Sequence, residues 1–241
     1  MENHMRITNI ASVLCLLVIC GCGEQSEDCQ LSGDGYFYLV SLHAEFGKRD
    51  FRPILDATVV EMPFTGTTGL LILRDEKGED YQFDPLPETD WKKQLDGLEL
   101  GKTYHFVFSA IGSGIIGMKV FDGELLVYLG ASSTFRGAAL AFEEWELEGF
   151  SVKQLHESKC KPMKSEIKRE GEEDLTSLIT SLPVVFQYGE QSVTLYPTQE
   201  ATFTTVQGEF LAHLLRSIHS LPENYEDGGY SYSFYIKRLH E

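Results

Sequence analysis

A mainly β fold is predicted by three features of this 241-residue chain. Short apolar segments rich in aromatic and β-branched residues recur about every 8–12 residues, divided by Gly, Asp and Pro turns. Asp122-Gly123 sits between the apolar arms Val120-Phe121 and Leu125-Leu126-Val127, the strongest short hairpin signal present. Near the end, Tyr230, Tyr232, Phe234 and Ile236 alternate with Ser231, Ser233, Tyr235 and Lys237, which predicts a strand with one buried and one wet face.

Taken in order, Tyr36–Leu42 is an apolar, aromatic strand. Phe51–Met62 is a second strand, with Ile54, Ala57, Val59 and Val60 apolar and Pro63 ending it. Pro53 lacks an N–H donor and belongs at the beginning of that strand or on an edge. Leu70–Leu73 and Tyr81–Phe83 flank Asp75-Glu-Lys-Gly78, a hairpin with a glycine-ended loop. Across Pro87–Gly97, Thr89 is an N-cap, Trp91 and Leu95 fall four apart, and Gly97 is a C-cap, which predicts one or two helical turns. Thr103–Phe108 is a strand and Gly112–Gly117 a glycine-rich loop, while Trp145, Leu147, Phe150, Val152 and Leu155 make one strand before Cys160.

From Ser158 to Asp174 the composition shifts to lysine and glutamate. This predicts a first β domain over 36–160, a barrel or sandwich, then a linker over 161–174 and a smaller β domain over 175–241. Leu175, Leu178, Ile179 and Leu182 fall at i, i+3, i+4 and i+7, a helical stripe stopped by Pro183. Val184–Tyr188, Val193–Tyr196, Ala201–Thr205 and Phe210–Leu215 then read as short strands of a meander or sandwich.

Ahead of all this stands Ile10–Ile19, apolar or small throughout, followed by Cys20-Gly21-Cys22. Ten such residues are too few to span a bilayer, which takes roughly 20, but suit the apolar core of a secretory leader. Arg6 is the one cation before it, beside Glu2, and Met5-Arg6 would make a more ordinary start. Ile19-Cys20-Gly21-Cys22 resembles the lipobox of bacterial lipoproteins. The resemblance implies removal of 1–21 and lipidation of Cys22 as the first mature residue, with 22–35 as a polar tether. Cys20 fits less well, since Ile19 is bulky where the family has a small residue. A secreted protein cut by ordinary signal peptidase, or an uncleaved anchor, are the other readings. Gly23 stands where an Asp resembles an inner-membrane retention signal, so the resemblance points to the outer membrane. Several acyl chains make a stable anchor where a single one is marginal.

The order strand, hairpin pair, short helix, two strands across 51–127 resembles an OB fold in element order. That resemblance implies a partly open barrel able to bind single strands or oligosaccharides on one face. Net charge argues against the first. Lys plus Arg number 20 against 37 Asp plus Glu, a balance of −17, and nucleic-acid binding depends on neutralising phosphates. Nucleic acid is therefore not an expected partner, whereas a saccharide or an envelope protein is, with membrane contact made by the N-terminal lipid.

Cys29 and Cys160 remain once the leader and the lipidated residue are set aside. An exporting compartment permits a disulfide between them; two free thiols, or pairing with another protein, are the alternatives. No catalytic set is found, and no cofactor or metal is expected. HExxH and GxSxG are absent from the sequence. His105, between Tyr104 and Phe106, reads as a sheet-face residue, and His213 and His219 converge only if tertiary structure brings them together. The carboxylates of Asp75–Asp80 and Glu223–Gly229 match no EF-hand spacing and read as solvated turns. Tyr36, Phe37, Tyr38, Tyr225, Tyr230, Tyr232 and Tyr235 fit sheet packing better than a ligand-binding face. The sequence thus points to a lipid-anchored, non-catalytic binding or structural module. The alternatives are an adaptor acting through an exposed strand edge and a surface hydrolase using paired carboxylates.

Overall fold

Alternating burial and closely spaced turn residues give strands, and antiparallel ladders satisfy their backbone groups. A computed structural model describes residues 39–41, 54–65, 68–85, 91–111, 114–136, 145–167, 175–222 and 229–239. The first half holds β1 (Leu39–Ser41), β2 (Ile54–Glu61), β3 (Leu71–Asp75), β4 (Asp80–Pro85), α1 (Trp91–Leu95), β5 (Thr103–Ile111), β6 (Gly114–Asp122) and β7 (Leu125–Arg136). After these come β8 (Trp145–Leu147), β9 (Phe150–Gln154), β10 (Met163–Ile167), β11 (Leu175–Ser181), β12 (Val184–Tyr188) and β13 (Gln191–Leu195). The last strands are β14 (Glu200–Thr205), β15 (Gly208–Pro222) and β16 (Gly229–Arg238). The protein is mainly β, as expected, and no helix among the described residues is long and apolar enough to cross a membrane.

Twelve strands form one sheet in the order β1-β4-β3-β2-β5-β6-β7-β16-β15-β11-β10, with β14 also on β15. Four more form a second sheet, β13-β12-β9-β8. The element order expected over 51–127 is present: β4-β3-β2-β5-β6 are neighbours, with α1 between β4 and β5. The short β1 pairs with both β4 and β6, linking the two ends of that set. Yet the large sheet as a whole stays open, because β6 also carries β7 along the rest of its edge.

Two cores lie on opposite faces of β7, β16 and β15. One joins Leu55, Val59, Leu71, Leu73, Phe83, Phe106 and Val120 to Leu95 of α1, and to Val127, Tyr128, Leu215 and Tyr235. The other lies between the sheets, where Phe150, Val152, Val184 and Phe186 meet Leu129, Phe203, Phe210, Leu214, Phe234 and Ile236. A bulge helps β7 serve both. Val120 faces Tyr128 while Phe121 faces Leu126, so Val127 is the extra residue and joins Tyr128 in the first core.

Several expectations are overturned here. The face of β16 read as wet is buried, with Ser233, Tyr235 and Lys237 at 1%, 1% and 6% exposure, because the first core covers it. Leu175–Leu182 is not a helix: β11 pairs with β10 and β15. Its apolar spacing over eight residues suits either structure, and Thr176, Ile179 and Thr180 favour the strand. The single strand read over 145–155 is a hairpin. Glu148 and Gly149 turn it with φ of 51° and 85°, the paired positive angles of a type I′ turn. Gly114 and Gly117 lie in β6 rather than in a loop. Beyond α1, the positive φ falls at Gly101 rather than Gly97. The expected linker contains β10, and the proposed boundary does not divide the sheets: β16 lies between β7 and β15, and β9 between β8 and β12.

Turn chemistry otherwise follows the residues. Gly123 takes φ 61° in the β6–β7 turn and Gly78 φ 79° in the β3–β4 turn, and Gly189-Glu190 joins β12 to β13. Phe150 anchors the inter-sheet core, meeting Tyr188, Phe203 and Phe210 at centroid distances of 4.8, 5.8 and 5.6 Å. Phe150→Ala is expected to cost about 3–5 kcal/mol, read as a lowered denaturant midpoint at unchanged slope. A loss below about 1 kcal/mol would show that the two sheets do not depend on this contact.

Candidate functional site

The second face of β16 is where the polar chemistry collects. Lys237 projects from it under α1, and its Nζ donates to Asp96 Oδ1 and Oδ2 at 2.8 and 2.7 Å and to Lys93 O at 2.6 Å. Three donors meet three acceptors, so this buried ammonium is fully hydrogen-bonded. Lys93 O is also one of the carbonyls a helix leaves unpaired at its end. From the same helix Gln94 Oε1 accepts from the Tyr128 hydroxyl at 3.1 Å, while buried Gln94 Nε2 has no partner among the described residues.

Beside Lys237, His213 of β15 stacks on Tyr235, with rings 5.2 Å apart. His213 Nδ1 lies 3.3 Å from both the Tyr235 hydroxyl and Glu200 Oε2, and Lys93 Nζ donates to Glu200 Oε2 at 2.7 Å. Burial, then the nearby Lys93 charge, push the His213 pKa down, with Glu200 opposing. The hydrogen bond from Lys93 holds Glu200 below the usual carboxylate range. Burial drives the Tyr128 hydroxyl well above its ordinary value.

Next to this network a groove of 440 Å³ opens, lined by Gly97, Glu99, Lys102, Tyr104, Asp122 and Val127 and by Gly208, Glu209, Arg238 and Leu239. It is built where the segment after α1, the β6–β7 hairpin, the start of β15 and the end of β16 come together. Lys102 Nζ bonds Asp122 Oδ2 at 2.7 Å, with Glu99 Oε1 at 3.5 Å, and stands 5.3 Å from the Tyr104 ring centre. The Tyr104 hydroxyl accepts from Glu99 N at 3.0 Å. Opposite, the Nε–Nη2 edge of the Arg238 guanidinium faces Gly208, where a Cβ would stand 3.3 Å from Nε and 3.4 Å from Nη2. Gly208 has φ 121°, a conformation open essentially to glycine alone. Exposed Leu100 adjoins Glu99 in the chain.

The candidate residues read from sequence are placed as follows. Cys22 and Cys29 lie outside the described residues, as do the leader, the tether and Tyr36, Phe37, Tyr38 and Tyr225. Cys160 is nearly buried and disulfide-bonded, and the other cysteines of the chain all lie outside the described residues. Tyr232 and Tyr235 are buried in the two cores. Asp75 turns its own loop, its Oδ1 accepting from Lys77 N and Glu79 N at 2.9 Å each; Asp80 is paired with Arg74. Among the described residues no group of His, Cys, Asp and Glu is placed to hold a metal ion. His105 Nδ1 lies 2.7 Å from Asp56 Oδ1 on the sheet face. His213 and His219 are not brought together: His219 lies in the field of His156 instead. The groove residues carry no motif, and Gly208 is the one local signal that marks the place.

Because His213 is depressed from 6.5, the folded protein binds less proton there than the unfolded chain. The stability this confers is complete above the unfolded value and is lost as pH falls through the folded one. The unfolding midpoint should therefore drop from about pH 7 to about pH 5, and His213→Gln should flatten part of that slope. His219, also lowered by burial, retains the rest. An unaltered slope would show that His213 is not held neutral by its surroundings. Gly208→Ala is expected to cost about 1–3 kcal/mol of stability, checked by chemical denaturation.

No protein family model matches this chain, and no curated protein and no solved structure matches it.

Proposed function

We propose that this protein is a lipid-anchored component of a bacterial cell envelope, held through Cys22, whose β body is a non-catalytic binding module. The groove beside α1 is the binding surface, and its construction carries the reading. Four segments remote in sequence converge on it, and its 440 Å³ falls within the roughly 300–1,000 Å³ of small-molecule sites. Among the described residues its lining contains no serine, threonine, cysteine or histidine to serve as nucleophile or base. A hydrolase built on paired carboxylates needs one carboxyl raised toward neutrality. Asp80 and Glu200 have carboxyls held below the usual range by the neighbouring Arg74 and Lys93.

The anchor rests on Ile10–Ile19 and the Cys22 motif, and the acidic surface supports a body standing off anionic lipid heads rather than lying on them. Cells fed a palmitate analogue should label the wild-type protein and leave Cys22→Ala unlabelled and no longer membrane-associated. Equal labelling of the two would remove the anchor.

A further inference from the structure

We infer that the groove takes a small ligand carrying a single carboxylate, gripped by Arg238. This rests on the groove being the binding surface. In a chain with 37 acidic and 20 basic residues, cations readily find acids. Arg74 meets Asp80, Lys93 meets Glu200, Lys102 meets Asp122, Lys119 meets Glu148 and Lys237 meets Asp96. Lys77, Lys92, Lys153, Lys159 and Lys161 are exposed and solvated. Arg238 fits neither group: it is half-buried, turns its Nε–Nη2 edge towards Gly208, and makes no ion pair among the described residues. Glu209 lines the same groove without pairing to it.

A guanidinium offers five donors in a planar fork that matches a carboxylate two-to-two; its Nε–Nη2 edge is turned to Gly208, which leaves the Nη1–Nη2 end of the fork to meet a carboxylate. Tyr104 supplies a further donor. Its oxygen already accepts from Glu99 N, its proton has no acceptor among the described residues, and burial keeps it protonated by raising its pKa. Glu99, Asp122 and Glu209 line the groove as acceptors. They suit hydroxyl or amide N–H groups on the ligand, and they repel a multiply charged anion such as phosphate. One carboxylate on an otherwise neutral, donor-rich molecule satisfies both sets. An acidic sugar and a peptide C-terminus share that chemistry.

The test uses the full chain in detergent micelles with four probes: galacturonic acid and galactose, then N-acetyl-alanyl-alanine and its C-terminal amide. Affinity is measured by calorimetry, and the place of binding by the NMR shifts of the Val127 methyls on the groove wall. At least one acid should bind at least tenfold more tightly than its neutral counterpart while moving Val127, and which acid does so identifies the source. Arg238→Gln should remove that preference, and Arg238→Lys, which keeps the charge and loses the fork, should retain part of it. Acid and neutral forms that move Val127 and bind equally would overturn the carboxylate and keep the groove. Binding that leaves Val127 unmoved would overturn the groove as well. Absence of binding by both acids would overturn the inference, as would an acid preference unchanged in Arg238→Gln.

Discussion

β16 is covered on both faces, and most of what is particular to this protein follows from that constraint. Phe234 and Ile236 enter the core between the sheets while Tyr235 enters the one beneath α1. A strand with two buried faces cannot keep a charged side chain unless acceptors are brought to it, since an unpaired buried ammonium costs several kcal/mol. Lys237 is such a side chain, and α1 with its following turn supplies Lys93 O and Asp96. A five-residue helix is far too short to stand by itself. It exists because Leu95 fills the core at 0% exposure and because its C-terminal end accepts from Lys237.

The groove lies where this double cover runs out. Lys237 is enclosed, whereas Arg238, one residue on, reaches the open end of β16 beside the first residues of β15. Adjacent cations thus have opposite fates: one has every donor bonded inside the fold, the other lines the groove with its Nε–Nη2 edge towards Gly208. Gly208 makes this arrangement possible twice, by its backbone angle of 121° and by leaving room for the guanidinium.

His213 is surrounded by the same double cover. It stacks on Tyr235 and shares Glu200 with Lys93, so it ties β14, β15, β16 and α1 together from the side. Burial and the Lys93 charge favour its neutral form. The network does not depend on a charged imidazolium.

Strand content and most turns were legible in the residues because their causes are local. Side chains alternate with period two, and glycines at 78, 123 and 189 take the positive φ that hairpins require. Local pattern misleads where burial is decided by distant strands. Nothing within Tyr230–Lys237 indicates that Phe234 will face Ala131 across one ladder and Leu214 across another, so its serine, tyrosine and lysine looked solvated. Leu175–Leu182 was ambiguous in period, and pairing with β10 and β15 made it a strand. The lysine- and glutamate-rich stretch suggested a boundary because composition does not record that strands from either side will share both sheets. By itself, the sequence determined the strand-forming segments, the tight turns and the acidic charge balance. Tertiary structure decided which faces are covered, that Lys237 is enclosed while Arg238 is not, and that four remote segments form one groove, because each depends on contacts between residues far apart in the chain.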